Sequence, residues 1–346
     1  MATTQDYLTQ LQVDKENLVN NLLEKGVEAT TDETFTSLVP KVLDISGGED
    51  ISEYYNLTKK NSGNILSYIK QIPMIDTSGY TSMDGMFNTC PSLTTIPLLD
   101  TSNVTSMANM FNKCSSLITI PQLNTSKVTG MASMFNNCSS LTTIPLLDTS
   151  KVTSMNNMFT GCKSLSTIPQ LNTSNVTNTS NMFNSCTSLT TIPLLDTSNV
   201  TNMSGMFCNC KSITTIPQLN TSKVTNMMSM LSDCTALTTI PQLDTSNVTR
   251  LDSICAACFE LTTLGGFINL GQAYSTSQSA NYSSYTLDLS TSDKLTHDSL
   301  MNVINNLYDI ATKGCKTQKL VLGSTNLAKL TDEEIAIATN KGWTVL

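Results

Sequence analysis

A cysteine returns every 24 residues, at Cys90, Cys114, Cys138, Cys162, Cys186, Cys210, Cys234 and Cys258. A fixed period held over so many copies means one supersecondary unit repeated in a line. No such unit buries its apolar face alone, so neighbours have to stack. The chain of 346 residues is therefore expected to grow in one dimension and not to divide around separate cores.

Within a unit, Met107, Met110, Phe111 and Cys114 stand at offsets 0, 3, 4 and 7, which predicts one face of a short helical turn. Thr105 precedes them as an N-cap, and the same residue recurs at Thr129, Thr153, Thr177, Thr201, Thr225 and Thr249. Behind the cysteine, Leu141-Thr142-Thr143-Ile144-Pro145 predicts a strand closed by proline, and Leu147-Asp148-Thr149-Ser150 a turn. Leu-x-x-Ile columns running from Ile69/Ile72 to Leu261/Leu264 predict nine strands in register. At a strand spacing of about 4.8 Å the array is roughly 40 Å long. Pro-Leu-Leu-Asp at 97–100, 145–148 and 193–196 alternates with Pro-Gln-Leu-Asn at 121–124, 169–172 and 217–220. That alternation indicates growth by duplication of a two-coil block, with the Asp/Asn exchange keeping like charges apart.

Stacking also bears on the cysteines. Equivalent residues of adjacent coils lie one strand spacing apart with parallel Cα–Cβ vectors, whereas a relaxed disulfide wants Cβ atoms about 3.8 Å apart. The series is expected to be a structural core ladder of free thiols; a disulfide or metal ladder is the alternative. His297 is the only histidine and lies outside the repeats. Cys255-x-x-Cys258 has metal-like spacing, but both residues fall on repeat columns. No metal or other cofactor is expected. Cys208, in a column otherwise mostly asparagine, is expected to be the most exposed thiol. Free thiols imply folding in a reducing compartment.

Only 13% of residues are charged, the net charge is −8 and Arg250 is the only arginine. No basic stripe exists for nucleic acid, and no run approaches the roughly 20 apolar residues of a membrane span. The amino-terminal residues lack the pattern of a secretory signal. No catalytic constellation appears, since His297 has no motif around it, and the chain is not expected to be an enzyme.

Three segments follow from the loss of rhythm at either end. Residues 1–48 read as a helical attachment or oligomerisation module. Leu18, Leu22 and Leu23 form one apolar stripe closed by Gly26, and Phe35, Leu38 and Val42 lie on a second helix capped by Asp32. Two such helices are too small to stand alone. Residues 49–265 are the solenoid. Residues 266–346 read as a strand–helix cap: strands at 285–290, 319–323 and 343–346, a helix opened by Thr296 and carrying Leu300, Ile304 and Leu307, and a last helix opened by the capping box at Thr331.

The repeat F-x-x-C-x-x-L-x-x-I-P-x-L-D-T-S-x-V-T-x-M-x-x-M resembles the BspA-type leucine-rich repeats of bacterial and phage surface proteins, over about residues 66–264. The resemblance implies an α/β solenoid, a leucine-rich-repeat-like array of 24-residue coils (short strand, turn, short helical turn), and a role in adhesion or recognition. A second stretch, VDKENLVNNLLEKGVEATTDETFTSLVPKVLDI (13–45), resembles helical segments of tailed-phage fibre, baseplate and head-decoration proteins.

Together these readings lead to a virion structural protein. Residues 1–48 would dock to other virion proteins, with a homotrimer as one assembly, and the solenoid would bind a host-surface glycan or protein. The candidate binding face is the strand column Thr95, Thr119, Thr143, Thr167, Thr191, Thr215, Thr239 and Thr263, a hydroxyl-rich surface suited to many weak contacts. A bacterial cell-surface adhesin and an intracellular protein-binding scaffold are the alternatives. The absent secretory signal weighs against the adhesin.

Overall fold

The computed structural model describes residues 76–273, 285–312 and 318–346, together with Glu16, Val19, Asn20, Glu28, Thr30, Lys70 and Ile72. Residues 76–273 form a right-through stack of coils. Their core is a set of columns in which each buried side chain meets its counterpart 24 residues on: Met107, Met110, Phe111, Cys114, Leu117 and Ile120 in one coil, Met131, Met134, Phe135, Cys138, Leu141 and Ile144 in the next. Six phenylalanine rings, from Phe87 to Phe207, stack with centroids 5.6–5.7 Å apart. Thr179 replaces a methionine of its column and is buried, its hydroxyl donating to the carbonyl of Asn202.

The segment expected to be a helical turn has the right residues inside and a different backbone. From Met107 to Cys114 the amides alternate. Those of Asn109, Phe111 and Lys113 donate to Ala132, Met134 and Asn136 of the next coil, at 2.9, 2.9 and 2.6 Å. Those of Met110, Asn112 and Cys114 donate three residues back, to Met107, Asn109 and Phe111. An α-helix would send every amide four residues back. Here half of them join coil to coil, and the resulting chain of tight turns needs left-handed residues at Asn109 (φ 56°) and Lys113 (φ 64°). The offsets 0, 3, 4 and 7 place the same four side chains inward in both geometries, so periodicity alone does not separate them. Thr105 does not cap a helix; its amide and hydroxyl both reach back to the carbonyl of Thr81, at 2.8 and 3.0 Å.

The nine strands in register reduce, among the described residues, to short pairings. Strand β1 (Thr239–Ile240) pairs in parallel with β3 (Thr263–Leu264), and β2 (Leu243–Asp244) with β4 (Phe267–Ile268). Elsewhere the coils meet through isolated parallel bridges in another column, Ser82–Ser106–Gly130–Ser154–Asn178–Asn202–Asn226–Arg250. From Leu93 to Leu264 the Leu-x-x-Ile columns are buried except at Ile192, which is half-buried, but their ladder stops at once. Thr142, for example, donates amide and hydroxyl to the carbonyl of Ile118, and Pro145 three residues on has no N–H to continue it.

The carboxyl-terminal coils are larger. Strands β5 (Thr286–Asp288), β6 (Gln318–Val321) and β7 (Trp343–Val345) form a parallel sheet in that order. Helices α1 (His297–Asn306), α2 (Gly323–Leu327) and α3 (Asp332–Asn340) lie between and beside them. Thr296 caps α1 by accepting from the Ser299 amide, and Thr331 and Glu334 form the reciprocal capping box of α3. The Ser299 hydroxyl accepts from the Leu264 amide and donates to the Thr262 carbonyl, which ties α1 onto β3.

Of the amino-terminal residues, Glu16, Val19 and Asn20 are helical and Val19 is buried. Leu18, Leu22, Leu23, Phe35, Leu38 and Val42, the expected docking positions, lie outside the described residues.

Candidate binding groove

The segment Pro-x-Leu-Asp/Asn-Thr-Ser recurs in the coils from Pro97 to Ser246 and alternates outward and inward like a strand. In one coil Leu98 is exposed, Leu99 buried, Asp100 exposed and Thr101 buried; in the next Gln122, Leu123, Asn124 and Thr125 repeat the order. Stacking these segments produces a groove of about 1920 Å³ running from Asp76 to Asn220.

Its floor carries an exposed apolar side chain in every second coil. Leu98, Leu146 and Leu194 are 65%, 63% and 66% exposed, whereas the leucine beside each is buried. In the coils between, Gln122 donates its amide to the Leu146 carbonyl at 2.7 Å and Gln170 to that of Leu194 at 2.6 Å. Gln218 does the same to Gln242 at 2.8 Å. The glutamines are thus spent on holding the next coil, and the leucines are left facing solvent.

The edge of the groove carries the turn residues. Asp76, Asp100, Asp148 and Asp196 each accept the amide of the serine two residues on, at 2.9–3.0 Å. These bonds, preceded at Asp148 by the Ser150 hydroxyl, stabilise the charged form and hold the four carboxyls below the usual carboxylate range. Among the described residues no lysine, arginine or aromatic residue lines the groove. Below the edge, Thr101, Thr149 and Thr197 donate to the carbonyls of Asn124, Asn172 and Asn220 at 2.8–2.9 Å. In the alternate coils the hydroxyls of Thr125 and Thr173, both 2% exposed and both lining the groove, have no partner.

The threonine column read as the binding face lies elsewhere. Seven of its members are exposed and Thr239 is half-buried, but none lines the groove. The cysteine ladder is wholly internal. From Cys114 to Cys234 each thiol donates to the carbonyl of the phenylalanine 27 residues earlier, as Cys162 does to Phe135 at 3.1 Å; Cys258 donates likewise to Leu231 at 3.2 Å. Burial pushes the thiols of Cys138, Cys162, Cys186, Cys210, Cys234 and Cys258 up, Cys186 to about 12. Among the described cysteines Cys208 is the partly exposed one, also raised, first by burial and then by Asp233. His297 stands far along the chain from the groove, bonded through Nε2 to Glu334 at 2.8 Å. Among the described residues no cluster of His, Cys, Asp and Glu could hold a metal ion, and no helix is long and apolar enough to cross a membrane.

A stack of leucine-bearing coils with an open groove along one side defines a repeat solenoid of the leucine-rich-repeat type. The chain belongs to the family described as "Mycoplasma protein of unknown function, DUF285", whose model matches residues 55–167, 117–193, 162–264 and 190–284. No curated protein matches it. Among solved structures it is similar to a leucine-rich repeat protein of T. pallidum, with 21% identity and a TM-score of 0.35 over 48% of this chain and 76% of that one. A leucine-rich repeat protein of Eubacterium ventriosum is also similar, with 14% identity and a TM-score of 0.31 over 66% of this chain and 77% of the other. The family match begins at residue 55. It does not extend over residues 13–45, and none of these likenesses supports the phage resemblance of that stretch or a place in a virion.

Proposed function

We propose that the chain is a non-enzymatic recognition protein, a surface adhesin or a scaffold, that holds a protein partner in the groove between Asp76 and Asn220. The observation that carries this reading is the row of Leu98, Leu146 and Leu194, three large apolar side chains about two-thirds exposed and aligned along one groove. Scattered surface leucines need no explanation, but an aligned apolar row in a concavity is characteristic of an interaction site. Membership of a family of repeat proteins supports an adhesin or scaffold better than a virion component.

Peptide and glycan arrays probed with the full chain test the assignment. Ligands found with the natural chain should be lost by the triple variant L98S/L146S/L194S and kept by T95K/T143K/T191K, with circular dichroism confirming that both variants fold. The reverse result moves the site to the threonine column. Loss in neither variant excludes both faces.

A further inference from the structure

From Asp100 to Asn220 the chemistry of the groove repeats every two coils, not every coil. Leu98, Leu146 and Leu194 share their coils with Asp100, Asp148 and Asp196, while the intervening coils present glutamines already bonded to their neighbours and neutral asparagines. At a coil spacing of about 4.8 Å, one chemical period is about 10 Å. An extended polypeptide in the polyproline II conformation advances about 3.1 Å per residue with three residues per turn, so every third side chain returns to one face at about that period.

Charge selects among possible occupants. Among the described residues the lining holds four carboxylates and no cationic side chain, and two lysines of these coils are engaged: Lys127 and Lys223 donate to Asn103 and Asn199. Lys151 acts on Asp148 only as the smallest of its influences. A polyanion is repelled by such a surface. A glycan would find no aromatic ring against which to lay a sugar face.

We propose that the groove takes an extended polypeptide segment bearing a lysine or arginine at every third residue, its cations on Asp100, Asp148 and Asp196 and its apolar side chains against Leu98, Leu146 and Leu194. This rests on the groove being the binding face, and it adds the partner's chemistry and register. Seven coils, from Asp76 to Asn220, span about 29 Å, enough for roughly nine extended residues.

The test uses the full chain and two synthetic peptides of roughly 12 residues, alike in composition: one with lysine at every third position among leucine and alanine, the other with its lysines in one block. Fluorescence anisotropy at low salt should show the triplet peptide binding about tenfold tighter, an advantage that shrinks as salt screens it. D100N/D148N/D196N should lose about the same factor. Equal affinity for the two peptides, unchanged binding by the asparagine variant, or no binding to the natural chain overturns the proposal. If the peptides bind equally and L98S/L146S/L194S loses both, the groove reading stands and only the register falls. If that variant still binds both, the groove reading falls as well.

Discussion

The thiol of Cys138 donates to the main-chain carbonyl of Phe111, 27 residues earlier, at 3.0 Å. The same carbonyl accepts the amide of Cys114 in its own coil. One phenylalanine carbonyl therefore closes a turn and anchors the following coil. That double use explains why the position is cysteine: a residue small enough for the core, weakly polar, and equipped with a donor.

Alkylation should report this burial. A thiol at about 12, as for Cys186, is ionised to a fraction on the order of 10⁻⁴ at pH 8, and the thiolate is the nucleophile. In the native chain, iodoacetamide at pH 8 should label Cys208 well before any ladder cysteine, as read by peptide mass spectrometry. In denaturant all should label together. Rapid native labelling of Cys138 or Cys162 would contradict the packing.

The phenylalanine stack sets a graded test. Phe159 lies between Phe135 and Phe183 with no exposed surface. Phe159→Ala should cost about 3–5 kcal/mol in urea unfolding. Phe159→Leu copies what Leu231 already does in the same column and should cost less than about 1.5 kcal/mol.

Left-handed turn residues predict an asymmetry between two substitutions. Asn157 has φ 57°, a conformation that costs an ordinary side chain about 1–2 kcal/mol and a β-branched one more. Asn157→Val should lower stability by at least that much, whereas Asn157→Gly should be close to neutral. Equal effects would mean that this turn is not left-handed in solution.

The pair of exposed His297 and half-buried Glu334 yields a pH window. Glu334 raises the histidine, whose stabilising contribution is complete below the ordinary 6.5 and disappears as pH rises through the raised value. The Thr331 amide, and secondarily His297, lower Glu334, whose contribution is complete above the ordinary 4.5 and disappears as pH falls through the lowered value. The Tm difference between the natural chain and His297→Gln should therefore be largest between about pH 4.5 and 6.5 and shrink on both sides. A difference that is flat from pH 4 to about pH 8 would show that the pair is not coupled.

Residues 1–48 remain the proposed docking module. Size-exclusion chromatography with light scattering on the full chain, and on a chain starting at Glu49, should show a trimer becoming a monomer. A monomer in both cases removes the oligomerisation role.

The period, the buried columns, the unpaired state expected of the thiols and the caps at Thr296 and Thr331 are all local or translational properties. A side chain repeated every 24 residues must repeat its environment, so a linear sequence states them directly. Backbone hydrogen bonding is not local in that sense. Met107, Met110, Phe111 and Cys114 face inward whether their amides bond within the coil or across to the next, and only the stack decides between the two. The groove escaped for a related reason. Leu98 and Leu99 are the same residue type in succession, and hydrophobicity alone cannot say which one turns outward. That choice belongs to the assembled coils, where the buried leucine fills the core, the glutamine of every second coil reaches the next carbonyl, and the remaining leucine is left to meet a partner.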